Sequence, residues 1–247
     1  MNESAALAGL FREARPPAEW LPARRWNGLT VLDTYGCQGG AGMGYHLAGY
    51  RVLSLDNADQ PRNPLAFVQA DAVRFIAEYG HLFDLSHGSP PCQRYTRCQK
   101  IRGRDHPDLI APTRTAMQST GRPWVIENVE EAAPELRDPV MLCGAAFGLR
   151  TYRHRLFEPG GGLTITPPQH PVHAAPLAKM GRPVLPGEFM HVVGNFSNVP
   201  LARSEAVMGM PWASRDGLRE AIPPAYTRLI GRQAAAQLGA RPPALAA

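Results

Sequence analysis

Cysteine is scarce in this 247-residue chain, occurring only at positions 37, 92, 98 and 143 and never as a CxxC pair. That excludes a disulfide framework and a zinc ribbon, and it points to a reducing compartment. Long apolar runs are missing too, and residues 1–20 carry no signal-peptide pattern. The expectation is therefore a soluble, cytoplasmic, monomeric protein with no membrane partner. Lysine is nearly absent: almost all of the 26 basic residues are arginine, against 21 acidic ones, for a net charge of +5 and a pI near 9.3. A fork-shaped cation suits phosphate, so the balance favours a polyanionic partner, although codon bias alone yields the same preference for arginine.

The order of elements is informative. A short helical pattern at 5–14 is broken by Pro16, Pro17 and Pro22 and reads as a packing arm. The β-branched run at 29–33 reads as a buried strand, which Tyr35-Gly36-Cys37-Gln38-Gly39-Gly40 turns into a helix ending near Gly49. Strand, glycine turn and helix make the first unit of a nucleotide-binding α/β sheet. A second strand at 51–55 delivers Asp56, a carboxylate able to accept from both hydroxyls of a ribose. A third at 66–69 ends in Ala70-Asp71 before a helix at 72–79, where Asp71 suits an adenine amino group or, taken alone, a helix N-cap.

The apolar run at 81–85 leads to Gly88-Ser89-Pro90-Pro91-Cys92-Gln93. Two prolines remove two backbone donors and force the chain out of the ladder, so Cys92 is presented in a fixed turn as a candidate nucleophile. A buried structural cysteine is the alternative. The following loop carries Arg94, Arg97, Lys100, Arg102 and Arg104 around Gly103, as expected of a hinged flap over a phosphate backbone. A helix at 109–119 and a strand at 123–127 then bring Glu127-Asn128-Val129 to the carboxyl edge shared with Cys92. Residues 140–147 read as a helix, and 151–157 as a strand with Arg153 and Arg155 on one face. The segment 159–200 is rich in glycine and proline; its His170-x-x-His173 is a weak metal signal, and no metal is expected. A helix at 202–208, a proline turn at 220–225 and a helix at 226–238 complete the chain.

Behind the glycine turn, Pro90-Pro91-Cys92-Gln93, Glu127-Asn128-Val129, Arg153-x-Arg155 and Met208-Gly-Met-Pro211 follow one another in the order that resembles the DNA cytosine-5 methyltransferase family, over residues 29–233. The resemblance implies an α/β, Rossmann-like S-adenosylmethionine-dependent methyltransferase sheet with a small, loop-rich target-recognition insertion. The implied division is an N-terminal arm (1–28), a catalytic and cofactor-binding domain (29–158), a target-recognition region (159–200) and a segment completing the catalytic domain (201–240). S-adenosyl-L-methionine would lie against Asp33, Tyr35, Gly36, Cys37, Gly39, Gly40, Asp56, Asn57, Asp71, Ala72 and Pro90. Cys92 would attack carbon 6 of a flipped cytosine, Glu127 would stabilise ring nitrogen 3, Arg155 with Arg153 would hold the base carbonyl and nearby phosphate, and Asn128 would fix the geometry. Double-stranded DNA would be held by Gln93 and the basic flap and read by Gln169, Arg182, His191 and Asn195. The family's usual settings are restriction-modification and phage self-protection.

Three motifs depart from the family pattern: Cys37 stands where a glycine is expected, Thr151 replaces a glutamine, and Glu220-Ala221 replaces Gly-Asn. A non-glycine residue at positive φ costs about 1 kcal/mol or more unless Gly36 takes that conformation instead. A catalytically silent DNA-binding relative and the same chemistry on RNA are the alternatives, since one relative of the family methylates transfer RNA. A thiol hydrolase pairing Cys92 with His87 or His106 leaves Asp56, Asp71 and the glycine turn without a purpose.

Overall fold

Short apolar runs make the strands, and pairing makes the sheet. In a computed structural model describing residues 2–91, 108–178, 183–192 and 199–239, the strands are β1 (Thr30–Thr34), β2 (Arg51–Asp56), β3 (Ala66–Gln69), β4 (Leu85–Gly88), β5 (Trp124–Asn128), β6 (Val140–Leu142) and β7 (Arg155–Gly160). Their order is β3-β2-β1-β4-β5-β7-β6, with β1 to β5 parallel and β7 antiparallel to both of its neighbours. β1, β4 and β5 are buried along their whole length, as the central strands of a sheet covered on both faces are, so that Asp33, His87 and Glu127 near their carboxyl ends are buried as well. The strand order reverses between β1 and β4, and at such a point the carboxyl ends of the strands open a crevice for ligands.

The helices are α1 (Glu3–Glu13), α2 (Gly40–Leu47), α3 (Ala72–Tyr79), α4 (Ile110–Ser119), α5 (Leu201–Met208), α6 (Arg215–Glu220) and α7 (Pro224–Gln237). Leu32, Leu53, Leu55 and Ile126 form one core with α1, α3 and α4, while their neighbours Val31, Val52 and Val125 point the other way, to Tyr45 of α2 and Tyr226 and Ile230 of α7. Alternation of side chains across the pleat divides the two layers. α2 and α7 meet closely: a Cβ at Gly44 would overlap the Pro224 carbonyl and the Thr227 hydroxyl. In its place, Thr227 Oγ1 donates to the Ala41 carbonyl at 2.7 Å. A third cluster joins Met190, Val192 and Val199 to Met208, Met210 and Leu218.

The N-terminal arm packs Leu7, Leu10 and Phe11 against the first core, and its end covers the sheet edge. The Arg15 amide donates to the Phe67 carbonyl at 2.8 Å and the Phe67 amide donates back at 3.0 Å, which blocks further pairing along β3. Among the described residues, no helix is long and apolar enough to cross a membrane.

Three expectations need correction, and one helix was not expected. The strand expected at 81–85 begins at Leu85, after a 3₁₀ turn at Gly80–Leu82. Residues 140–147 are not a helix but the edge strand β6 followed by a 3₁₀ turn at Gly144–Phe147, because pairing with β7 outweighs the local helical preference of Met141 and Leu142. The strand expected from Thr151 begins at Arg155, since Arg153 sits at φ 31° and breaks the extended backbone. Helix α6, with Ser214 as its N-cap, had no counterpart in the sequence reading.

Candidate active site

The β1 turn is shaped by close approach as much as by conformation. A Cβ at Gly36 would overlap the Ser54 hydroxyl, so the early glycine lets the turn settle onto β2, and the Gly36 amide donates to the Leu55 carbonyl at 2.8 Å. Gly36 therefore does not relieve Cys37. Tyr35 (φ 58°) and Cys37 (φ 42°) both occupy the left-handed region, as does Gly39 (φ 81°). The surroundings hold this strain: the Tyr35 hydroxyl is 2.7 Å from Thr113 Oγ1, the Cys37 amide donates to Asp56 Oδ2 at 3.1 Å, and Asn63 Nδ2 donates to the Cys37 carbonyl at 2.9 Å. Cys37→Gly is expected to stabilise the fold by about 1 kcal/mol, read as a higher denaturant midpoint. An unchanged midpoint would show that packing of the thiol outweighs the strain.

A cavity of about 440 Å³ opens at the carboxyl ends of β1, β2, β4 and β5. Tyr35, Gly36, Cys37, Gly40, Asp56, Asn57, Asp71, Ala72 and Pro90 line it, as do Glu127, Asn128 and Arg155. Asp33 and Gly39 do not. Asp33 lies buried beneath the turn, accepting from Ser54 Oγ at 3.1 Å, and burial lifts its carboxyl to about 7. Asp56 accepts the amides of Cys37 and Ala58 (3.1 Å), and Asp71 caps α3 through the Arg74 amide at 2.8 Å, so the N-cap role of Asp71 is observed.

Two departures from the family pattern meet here. The Cys37 thiol lies between the carboxyls of Asp56 and Glu220, and Glu220, from the end of α6, lines the cavity. Burial first, then Asp56, pushes the Cys37 thiol far above its ordinary value. It is a neutral wall, not a nucleophile. Burial likewise raises Glu220, with Asp216 and Asp56 adding to the effect.

Glu127 is a buried acid in the cavity wall. It ends β5, is 6% exposed, and pairs through Oε1 with Arg155 Nε at 3.1 Å. Burial raises its carboxyl above the usual carboxylate range, opposed by Arg155 and a hydrogen bond from Ser89. Ser89 belongs to a chain the sequence reading missed: its Oγ is 3.1 Å from His87 Nε2, and His87 Nδ1 is 3.0 Å from the Tyr45 hydroxyl. Burial lowers His87 to about 3, so it is a neutral relay. Both ring nitrogens are engaged, which removes His87 as the base of a thiol hydrolase. Asn128 Nδ2 donates to the Pro90 carbonyl at 2.9 Å, holding the chain two residues before Cys92.

Arg153 is placed differently from expectation. Its guanidinium donates to the carbonyls of Val192, Leu218, Arg219 (2.8 Å) and Ala221, and its own carbonyl accepts from Tyr226 at 2.8 Å. It pins the turn after α6 and does not share a strand face with Arg155, because the positive φ turns its side chain away. Gln169 and His191 are exposed and do not line the cavity. Cys92, Gln93, Arg94, Arg97, Lys100, Arg102, Arg104, Arg182 and Asn195 lie outside the described residues, as does His106. Arg219, Glu220, Ala221 and Ile222 complete the cavity wall; the only sequence signal for them was the altered Gly-Asn position.

No protein-family model matches this sequence, and no curated protein matches it. Among solved structures, the S. pombe Dnmt2 methyltransferase aligns over 82% of this chain and 97% of its own, at 14% identity and a TM-score of 0.52. The chain has a Rossmann-like methyltransferase fold. A Burkholderia thailandensis 1,6-didemethyltoxoflavin-N1-methyltransferase, solved with 1,6-didemethyltoxoflavin and S-adenosylhomocysteine bound, aligns over 64% of this chain and 75% of its own at 14% identity, with a TM-score of 0.34 that is too low to bear on the fold.

Proposed function

We propose that this protein transfers a methyl group from S-adenosylmethionine to carbon 5 of cytosine in double-stranded DNA, through a covalent adduct with Cys92. Glu127 carries this reading. It is buried, held toward its protonated form, and shares one cavity with carboxylates at adjacent strand ends and with Pro90-Pro91, the dipeptide that leads into Cys92.

The cavity residues fit the cofactor. About 440 Å³ lies within the range of small-molecule sites, Asp56 keeps lone pairs for ribose hydroxyls beyond the two amides it accepts, and Asp71 faces the same space for an adenine amino group. When bound, S-adenosylmethionine supplies the methyl group that an activated carbon 5 takes.

The protein's part is to make carbon 5 nucleophilic. Cys92 thiolate adds to carbon 6, and the electron pair displaced onto the ring is met by a proton from Glu127 at nitrogen 3. Arg155 pairs with Glu127 and would hold the base carbonyl. After methylation, water takes the carbon 5 proton, the electron pair left behind re-forms the carbon 5–carbon 6 double bond and expels Cys92 as thiolate, and nitrogen 3 returns its proton to Glu127. A stacked cytosine exposes neither face, so the target must leave the duplex at a cost of about a few kcal/mol, offset by phosphate contacts from the basic segment after Cys92. Recognition of neighbouring bases falls to 159–200, where a few side chains on base edges, at about 1–3 kcal/mol each, suit a site of roughly two to four base pairs.

The test is methyl transfer from labelled cofactor to duplex DNA and to structured RNA, with sequencing of the modified base. The expected result is 5-methylcytosine in DNA at a short site. Transfer to RNA alone would replace the substrate, and cofactor binding without transfer to either would favour a silent relative.

A further inference from the structure

On the side of β7 where the chain enters the strand, four side chains from three separate stretches converge. Cys143 follows β6, His154 precedes β7, and His170 and His173 come from the loop after β7. Their ligand atoms all lie within 4.8 Å of one another. Cys143 Sγ is 3.4 Å from His173 Nε2, His173 Nε2 is 3.3 Å from His154 Nε2, and His154 Nε2 is 3.2 Å from His170 Nε2. Four ligands at the usual zinc–nitrogen and zinc–sulfur distances stand about 3.3–3.6 Å apart along the edges of a tetrahedron. Three of the six edges, at 3.2–3.4 Å, lie close to that spacing, and no edge exceeds 4.8 Å.

The surroundings orient the ligands as well. His154 Nδ1 lies 3.2 Å from Glu130 Oε2, so its proton is held on that nitrogen and the lone pair of Nε2 faces His170 and His173. The backbone amides of Ala145 and Ala146 point at the Cys143 sulfur. The Tyr152 ring stacks on His173 with centroids 3.6 Å apart. The loop is anchored at both ends, by buried Leu163 and Ile165 with Gln237 and Gln233 on Thr164 and Thr166, and by the Ala178 amide donating to the Phe189 carbonyl; between these anchors Val172, which separates the two loop histidines, is 90% exposed.

We infer that Cys143, His154, His170 and His173 form a tetrahedral Zn²⁺ site that staples the loop after β7 to the β6–β7 edge. One thiolate and three imidazoles suit zinc in charge and softness, and four protein ligands leave no open position, which makes the site structural rather than catalytic. His154 stands between Arg153 and Arg155, so the ion also fixes the backbone that aims those two arginines.

The site is tested without any methyl-transfer assay, so its outcome is independent of the proposed function. Protein made without a histidine tag and dialysed against metal-free buffer should retain one zinc per chain by elemental analysis. Replacement by Co²⁺ should give the intense visible absorption of a tetrahedral ion together with a thiolate charge-transfer band. His170→Ala, an exposed position whose fold is checked by circular dichroism, should weaken zinc binding about 100-fold or more. Cys143→Ser should abolish the charge-transfer band, and Glu130→Gln should weaken binding about 10-fold. Chelation should expose 167–174, the stretch between the loop's two anchors, to limited proteolysis. Zinc well below one per chain, a weak six-coordinate cobalt spectrum, or affinity unchanged in His170→Ala would overturn the inference.

Discussion

Cys92→Ala is expected to abolish methyl transfer, lowering the rate by about 10⁴-fold or more, while leaving cofactor binding intact. The size follows from the chemistry: without covalent addition at carbon 6, carbon 5 of cytosine does not attack a sulfonium methyl group, and losing a nucleophile costs several orders of magnitude in kcat. Cofactor binding should survive because Asp56, Asp71 and the β1 turn are untouched. Duplexes carrying 5-fluorocytosine separate the covalent mechanism from simple loss of fold. Fluorine at carbon 5 leaves no proton to remove, so the wild type should be trapped in a denaturation-resistant complex only when cofactor is present. Equal trapping of Cys92→Ala would remove Cys92 from the mechanism.

Glu127→Gln should lower the rate by about 10² to 10⁴, the usual contribution of a positioned acid. Glutamine keeps the shape and a hydrogen-bond donor but has no proton to give to nitrogen 3. The pH dependence has a definite sign. Burial raises the Glu127 carboxyl above its ordinary value, so the acid form persists to higher pH and activity should fall as pH rises through that raised value. The glutamine variant should lack this alkaline limb. A wild-type rate in Glu127→Gln, or the same limb in both proteins, would assign the role to another group. Cys92→Ala and Glu127→Gln should both bind cofactor normally, which distinguishes failure of chemistry from failure of binding.

Much of this organisation was legible in the residues. The strand at β1, the glycine turn, the acids at the ends of β2 and β3, and the Glu127-Asn128 strand end are local features, each decided within a few residues by β-branched content, glycine and sequence order. Asp56, Asp71 and Glu127 consequently line one cavity, as their positions at the carboxyl ends of parallel strands require. Tyr45, His87 and Ser89 were not legible as a chain, because a hydrogen-bonded series needs the lateral pairing of β1 with β4 and the packing of α2 above it.

Tertiary structure alone decided the rest. Arg153 and Arg155 look like a matched pair on an alternating strand, yet the positive φ at Arg153 turns it toward the carbonyls after α6 and leaves Arg155 with Glu127. Met141 and Leu142 suit a helix, but an unpaired edge beside β7 made them a strand. Cys37 and Glu220, two separate oddities in the sequence, meet in the cavity wall because close packing of α7 on α2 brings the end of α6 to the β1 turn. Cys143 and His154 complete the set begun by His170 and His173 only because β6 and β7 run antiparallel and place the end of one beside the start of the other. Local chemistry set each residue's capacity, and the pairing and packing of distant segments selected its partner.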